Sequence, residues 1–126
     1  MPISFNHTIV ASRDKQKSAE FLAELFGLAS PKAIGRFMVV ALEHGVNLDF
    51  ADVPEGEEIR RQHYAFLVSE QDFDAIYARI QSRGLRHWAD PGENRPGEVN
   101  HSHGGRGVYF PDPSGHAMEI LTRPYA

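Results

Sequence analysis

The chain of 126 residues contains no cysteine, so no disulfide staples it, and any metal ion would have to be held by nitrogen and oxygen ligands. Basic residues never gather: the longest run is the Arg60-Arg61 pair, and the formal charge is -4. That distribution offers neither a nucleic-acid stripe nor a polybasic membrane patch, and both are excluded as main partners. Long apolar runs are also missing, and the first residues lack a basic-then-apolar layout. No membrane span or signal peptide is expected, which makes a cytoplasmic setting the default. The length suits one domain able to bury most of a core. Against these absences stands one excess, seven histidines, a residue type suited to proton transfer and metal ligation.

The chain is also written twice. From His7 it reads HTIVASRDKQKSAEFLAELFGL: a β-type run, Ser12 as helix cap, a helix with Phe21, Leu22, Leu25 and Phe26 on one side, and Gly27 as stop. From His63, 56 residues on, it reads HYAFLVSEQDFDAIYARIQSRGL, with Ser69 as cap, Phe73, Ile76, Tyr77 and Ile80 at helical spacing, and Gly84 as stop. The second halves repeat at an offset of 70: Gly35, Arg36, Gly45 and Asp49 fall on Gly105, Arg106, Gly115 and Glu119. Each half therefore spells strand, helix and three strands, over 4–11, 12–26, 31–35, 36–42 and 46–51, then 62–68, 69–83, 85–89, 106–111 and 116–123. Pro54-Glu55-Gly56 forms the junction, giving a single domain over 1–126 with modules of about 1–54 and 60–126.

Duplicated halves that cannot close their own sheets are expected to pair about a pseudo-twofold axis, bringing equivalent positions together. His7 would then join His63, and Asp49 would join Glu119. Two imidazoles with one or two carboxylates form a set suited to a divalent metal ion: Fe, Mn, Zn, Ni or Co. A lone histidine in a half-buried strand is more often a packed core residue, but recurrence of the same types at repeat-related positions favours ligation by His7, His63 and Glu119. Asp49 is either a further ligand or a group that orients one. His44 and His87 read as exposed, and His116 as a turn residue after Gly115.

At these residues, in NHTIV, QHYAFLV and GVYFPDPSGHAMEI, the chain resembles the vicinal oxygen chelate superfamily, which includes glyoxalase I, fosfomycin- and bleomycin-resistance proteins and extradiol dioxygenases. The resemblance covers the whole chain. It implies an α+β fold in which two βαβββ modules form a cup-shaped, curved mixed sheet with helices outside, around a metal held by His7, His63 and Glu119. It further implies a small-molecule substrate bound through two adjacent oxygens and a homodimer. Extradiol spacing in VNHSHGGRGVYFPDPSGHAME assigns catalytic roles to His101 and Tyr109, whereas a glyoxalase-like step would use Asp49 or Glu119 as the base. A fosfomycin-type transferase is set aside because the chain ends at Ala126 without a later arginine to grip a phosphonate. The expectation is a metal-dependent enzyme acting on a small oxygenated metabolite, a glyoxalase-like isomerase or lyase ahead of an extradiol-dioxygenase-like enzyme. The alternative is non-catalytic drug binding and sequestration of the bleomycin-resistance type. The Pro- and Gly-rich stretch from Asp90 to Gly105 is expected to close over the site as a lid bearing His101, with Arg106 at its base holding a substrate carboxylate.

Overall fold

A computed structural model describes all residues, 1–126. The chain divides into two units, Met1–Ile59 and Arg60–Ala126. The first contains β1 (His7–Ser12), α1 (Lys15–Phe26), β2 (Lys32–Ile34), β3 (Phe37–Ala41) and β4 (Asn47–Asp52), its sheet ordered β1-β4-β3-β2. Only β1 and β4 run parallel. Strand alternation puts Val10, Val40, Leu48 and Phe50 on the covered face, all buried, and leaves His7, Ile9 and Asp49 on the other. Helix α1 packs on β1, β3 and β4 through its buried Ala19, Leu22, Ala23 and Leu25. It stops at Gly27, whose φ of 69° suits a residue without Cβ and lets the Leu28 N–H reach Ala23 O at 2.8 Å.

The start of α1 departs from the sequence reading. Ser12 is not the cap: the β1–β4 ladder extends to the Ser12–Asp52 pair, and the Val53 N–H bonds Ser12 O at 2.9 Å, holding Ser12 extended and wholly buried. The cap passes to Asp14, whose carboxylate accepts the Lys17 N–H at 3.1 Å.

The second unit repeats the plan with β5 (His63–Leu67), α2 (Glu70–Ser82), β6 (Gly107–Pro111) and β7 (Ala117–Leu121), its sheet ordered β5-β7-β6. Here the expected serine is the cap, Ser69 Oγ accepting the Asp72 N–H at 3.0 Å. The parallel pair is β5 and β7, equivalent to β1 and β4. The strand expected over 85–89 does not form. Trp88 and Tyr109 exchange one pair of N–H···O bonds at 2.8 Å each, but the Ala89 N–H then turns to Arg95 O and the Gly97 N–H to His87 O. The segment has left the sheet edge for its own loop after a single bridge. The result is an α+β chain of two helices and two mixed sheets, with no helix long and apolar enough to cross a membrane.

The loop from Asp90 to Gly105 is tied down rather than free. Asp90 Oδ1 and Oδ2 accept the N–H groups of Arg95 and Asn94 at 2.8 and 3.0 Å. Asn100 exchanges two backbone bonds with Gly107 and donates its side-chain amide to Ala89 O at 2.7 Å. A Cβ on Gly105 would stand 2.5 Å from Thr122 Oγ1 and 2.6 Å from Arg123 Cγ, so only glycine lets the chain pass beneath the end of β7.

Replacing Asp14 with alanine removes the cap of α1, so Asp14→Ala is expected to lower stability by about 1 kcal/mol. The check is a shifted urea midpoint at unchanged m-value.

Candidate metal centre and cleft

On the uncovered face of the second sheet, strand parity aligns His63, Ala65 and Leu67 of β5, Ala117, Glu119 and Leu121 of β7, and Tyr109 of β6. Glu119 occupies the central strand, with Ala65 directly across on one side and Tyr109 on the other. His63 pairs with Ala117, one step back along the ladder, and reaches Glu119 diagonally, Nε2 to Oε1 at 3.0 Å. The Glu119 side chain is only 12% exposed, against 51% for His63. A carboxylate so enclosed needs donors, and it has two. The second is Tyr109, whose hydroxyl donates to it and whose ring centre lies 5.8 Å from that of the imidazole. Partial burial, the nearby Glu119 charge, this hydrogen bond and Asp90 together push the Tyr109 phenol up to about 12.

These groups stand in a cleft of about 730 Å³, which Asn100, His103, Arg106, Arg123 and Tyr125 help to wall. The structure places His103 among the lining residues where the sequence had pointed to His101, two residues earlier and, like His103, exposed. Arg106 lines the cleft too, but its guanidinium is engaged. Nε donates to Glu70 Oε1 at 2.8 Å, Nη1 meets Asp74 Oδ1 at 2.8 Å, Nη2 donates to Glu70 O at 3.1 Å, and the group lies 4.4 Å over the Phe73 ring. The hydrogen bonds and charges of Asp74 and Glu70 raise its already high pKa despite an opposing desolvation. Arg106 thus clamps β6 to the first turns of α2, and the fork expected to grip a substrate carboxylate already grips two protein ones.

In the first unit the equivalent positions look different. Asp49 again sits on the central strand, but its cross-strand neighbours are Ile9 and Val39. His7 pairs with Asn47 and is held by its own neighbour, Nδ1 to Asn6 Oδ1 at 2.7 Å. With Nδ1 as the donor of that bond, Nε2 keeps the lone pair a metal would take. Neither unit by itself gathers three histidines or carboxylates around one point. The donor set nevertheless fits a divalent ion: His63 Nε2 and Glu119 Oε1, 3.0 Å apart, are spaced as two ligands of one ion at roughly 2.0–2.2 Å each.

Two residues escaped the sequence reading. Asn100 anchors the loop, and a lone asparagine in a polar stretch carries no signal of that. His116, read as a turn residue, is wholly buried, and its ring Nδ1 accepts the Gln62 N–H at 3.0 Å. Its parity with Met118 and Ile120 was the available sign.

Comparison with known proteins agrees with this architecture. The family model described as Glyoxalase/Bleomycin resistance protein/Dioxygenase superfamily matches residues 4–120. Two solved structures, Oxidase ChaP-H1 and Oxidase ChaP-H2, are each 55% identical to the chain. The first has a TM-score of 0.94 and covers 99% of both chains; the second has 0.95 and covers 100% of this chain and 98% of its own. The Glutathione transferase FosA of Serratia marcescens is 31% identical over 124 residues, spanning 93% of this chain and 79% of that protein.

Because Tyr109 holds its proton more tightly folded than unfolded, its contribution to stability is complete below pH about 10 and is lost as pH rises from there to about 12. In chelator-treated protein, the ultraviolet phenolate signal is expected to show two late tyrosines, Tyr64, held up by burial and the nearby Asp112, and Tyr109, of which the Tyr109 component vanishes in Tyr109→Phe. A Tyr109→Phe titration that superimposes on the parent would refute the assignment.

Proposed function

This chain belongs to the Glyoxalase/Bleomycin resistance protein/Dioxygenase superfamily, and we propose from that premise that it is a metal-dependent enzyme of extradiol-dioxygenase or oxidase type. Its substrate is a small oxygenated metabolite. One observation carries this reading: a phenol that stays protonated lies directly across the ladder from a carboxylate which also faces an imidazole. The 55% identity to proteins named as oxidases supports it. His63 and Glu119 hold the metal with His7, supplied by the same chain or by the second copy of a homodimer. When bound, the metal supplies a positive centre that gathers two neighbouring substrate oxygens and stabilises negative charge developing on them.

The chain's own groups do the rest. Glu119 supplies the anionic donor, and Ala65 and Ala117 beside it leave room for a substrate against the sheet. Tyr109, protonated through the neutral range, is a hydrogen-bond donor at the site and not a base. We assign to His103, at the cleft wall, the proton transfer that the sequence had assigned to His101. Arg123 adds positive charge at the same wall for an anionic substrate. A glyoxalase-like isomerase is the second reading, favoured by Asp49 at the position equivalent to Glu119, where a carboxylate can serve as base.

Elemental analysis after mild purification separates these readings. Iron supports ring-cleaving oxidation; nickel, cobalt or zinc supports isomerisation; a metal-free preparation returns the chain to drug sequestration. His63→Ala and Glu119→Ala are expected to stay folded and lose the metal, since removing a ligand cuts affinity steeply, while neither side chain belongs to the apolar core and Glu119 keeps the Tyr109 hydroxyl as donor when His63 is lost. Full metal content in both variants would overturn the ligand set.

Once turnover is found, His103→Ala is expected to lose at least about tenfold in rate at unchanged metal content, with His101→Ala close to the parent. The reverse order would restore His101 to the role.

A further inference from the structure

The buried histidine that the metal reading leaves unused sits one strand-end away from it. His116 closes the turn between β6 and β7 and is wholly buried. Its backbone is fixed by Asp112: the His116 N–H donates to Asp112 Oδ1 at 2.7 Å, and the Asp112 N–H donates to His116 O at 3.0 Å. Asp112 Oδ1 also accepts the Ser114 N–H at 3.0 Å, which shapes the turn. The ring is then held edge-on against Tyr64, centroids 5.5 Å apart at 86°. Two constraints, one on the backbone and one on the ring, leave Nδ1 with a single direction.

That direction leads to Gln62, the residue before His63. The Gln62 N–H donates to His116 Nδ1 at 3.0 Å, while Gln62 O accepts the Ala117 N–H at 2.9 Å. Both backbone groups of Gln62 are thus tied to the start of β7, one through a backbone bond and one through a side chain. Just beyond, the ladder pairs His63 with Ala117 and Ala65 with Glu119. The 3.0 Å contact between His63 Nε2 and Glu119 Oε1 exists only in that register, because a one-residue slip would turn His63 to the covered face. An exposed edge strand of five residues is weakly held, and its first residue is where fraying begins.

We propose that His116 is a positioning residue for the His63–Glu119 pair. Its neutral ring, acceptor at Nδ1, pins Gln62 and so sets where the first residue of β5 presents its imidazole. The inference rests on the metal reading only for its consequence, which is that His116 sets the metal affinity of a site it does not touch. A side chain that offers an acceptor at the same place should serve. Asparagine does, since its Oδ1 stands close to where Nδ1 stands in histidine, whereas phenylalanine fills the volume and leaves the Gln62 N–H buried without a partner.

The experiment compares His116→Phe and His116→Asn with Ile76→Ala, a core truncation on α2 that lowers stability without altering the turn. In metal-free protein, the ¹⁵N shifts of the His63 ring report its contact with Glu119. They are expected to move toward a solvated imidazole in His116→Phe alone, with Gln62 amide exchange at least tenfold faster. Zn(II) affinity, measured with the metal alone, should fall at least tenfold in that variant and stay within threefold in the other two. Unmoved His63 signals in His116→Phe overturn the proposal whatever the metal does, and so does an equal loss of Zn(II) affinity in Ile76→Ala. If the parent takes up no Zn(II) but the His63 signals move as expected, the positioning role stands and the metal reading falls. Should His116→Phe fail to fold, the parent decides the matter: a scalar coupling across the hydrogen bond between the Gln62 amide and His116 Nδ1 supports the proposal, and its absence overturns it.

Discussion

Everything of chemical interest in this chain depends on one cross-strand register. Glu119 sits on the central strand β7 with a methyl group across from it on β5 and a phenol across from it on β6. The alternation of a strand is strictly twofold, so a shift by one residue on either neighbour would replace His63 or Tyr109 by a side chain from the covered face. The carboxylate would then be left half-buried without donors, which is costly. Site and fold are therefore stabilised by the same contacts. The bonds that satisfy Glu119 are those that fix His63 and Tyr109 beside it.

The two halves share a topology and divide the work unequally. Each has a parallel pair with the carboxylate-bearing strand inside it, and each places a histidine diagonal to that carboxylate. In the first half the carboxylate is the shorter Asp49, flanked by Ile9 and Val39, and the histidine is held by Asn6. The second half has the longer glutamate, a small neighbour on one side and a hydroxyl donor on the other. One methylene and two neighbouring side chains turn equivalent positions into different environments. Both sheets keep exposed apolar side chains: Ile9, 50% exposed, and Ile34, 56% exposed, on the first, and Leu67, 63% exposed, on the second.

The long loop after Trp88 is a wall. Its turns are closed by Asp90, its base is bolted by Asn100, and its outer bend is held by Arg61 and Arg86, which both approach Glu93. Surface pairs such as these last two contribute little singly. The buried backbone bonds of Asn100 and the close passage at Gly105 do more, because neither has a solvated alternative of equal quality. Arg106 belongs to the same frame. Its guanidinium, 26% exposed, joins β6 to α2 through two carboxylates and the Phe73 ring, and thereby fixes the strand on which Tyr109 is carried.

The duplication, the order of elements in the first half, both helices and the alternation that puts Asp49, His63 and Glu119 on one kind of face were legible in the amino-acid sequence, because periodicity and repetition are local properties of a string. Ser69 was legible as a cap for the same reason. Ser12 was not, because a strand ladder to Asp52 held it extended, and only the partner strand decides how far a ladder runs. The edge strand over 85–89 dissolved because a backbone N–H chose its own loop over its neighbour, a competition between two acceptors that no pattern of residue types records. The tertiary structure alone decided that Arg106 serves α2, that His103 rather than His101 lines the cleft, and that the ring of His116 faces Gln62. Each is a question of where a long or buried side chain finds its partner. Those partners lie 32 to 54 residues away for Arg106 and His116, beyond the reach of any local rule.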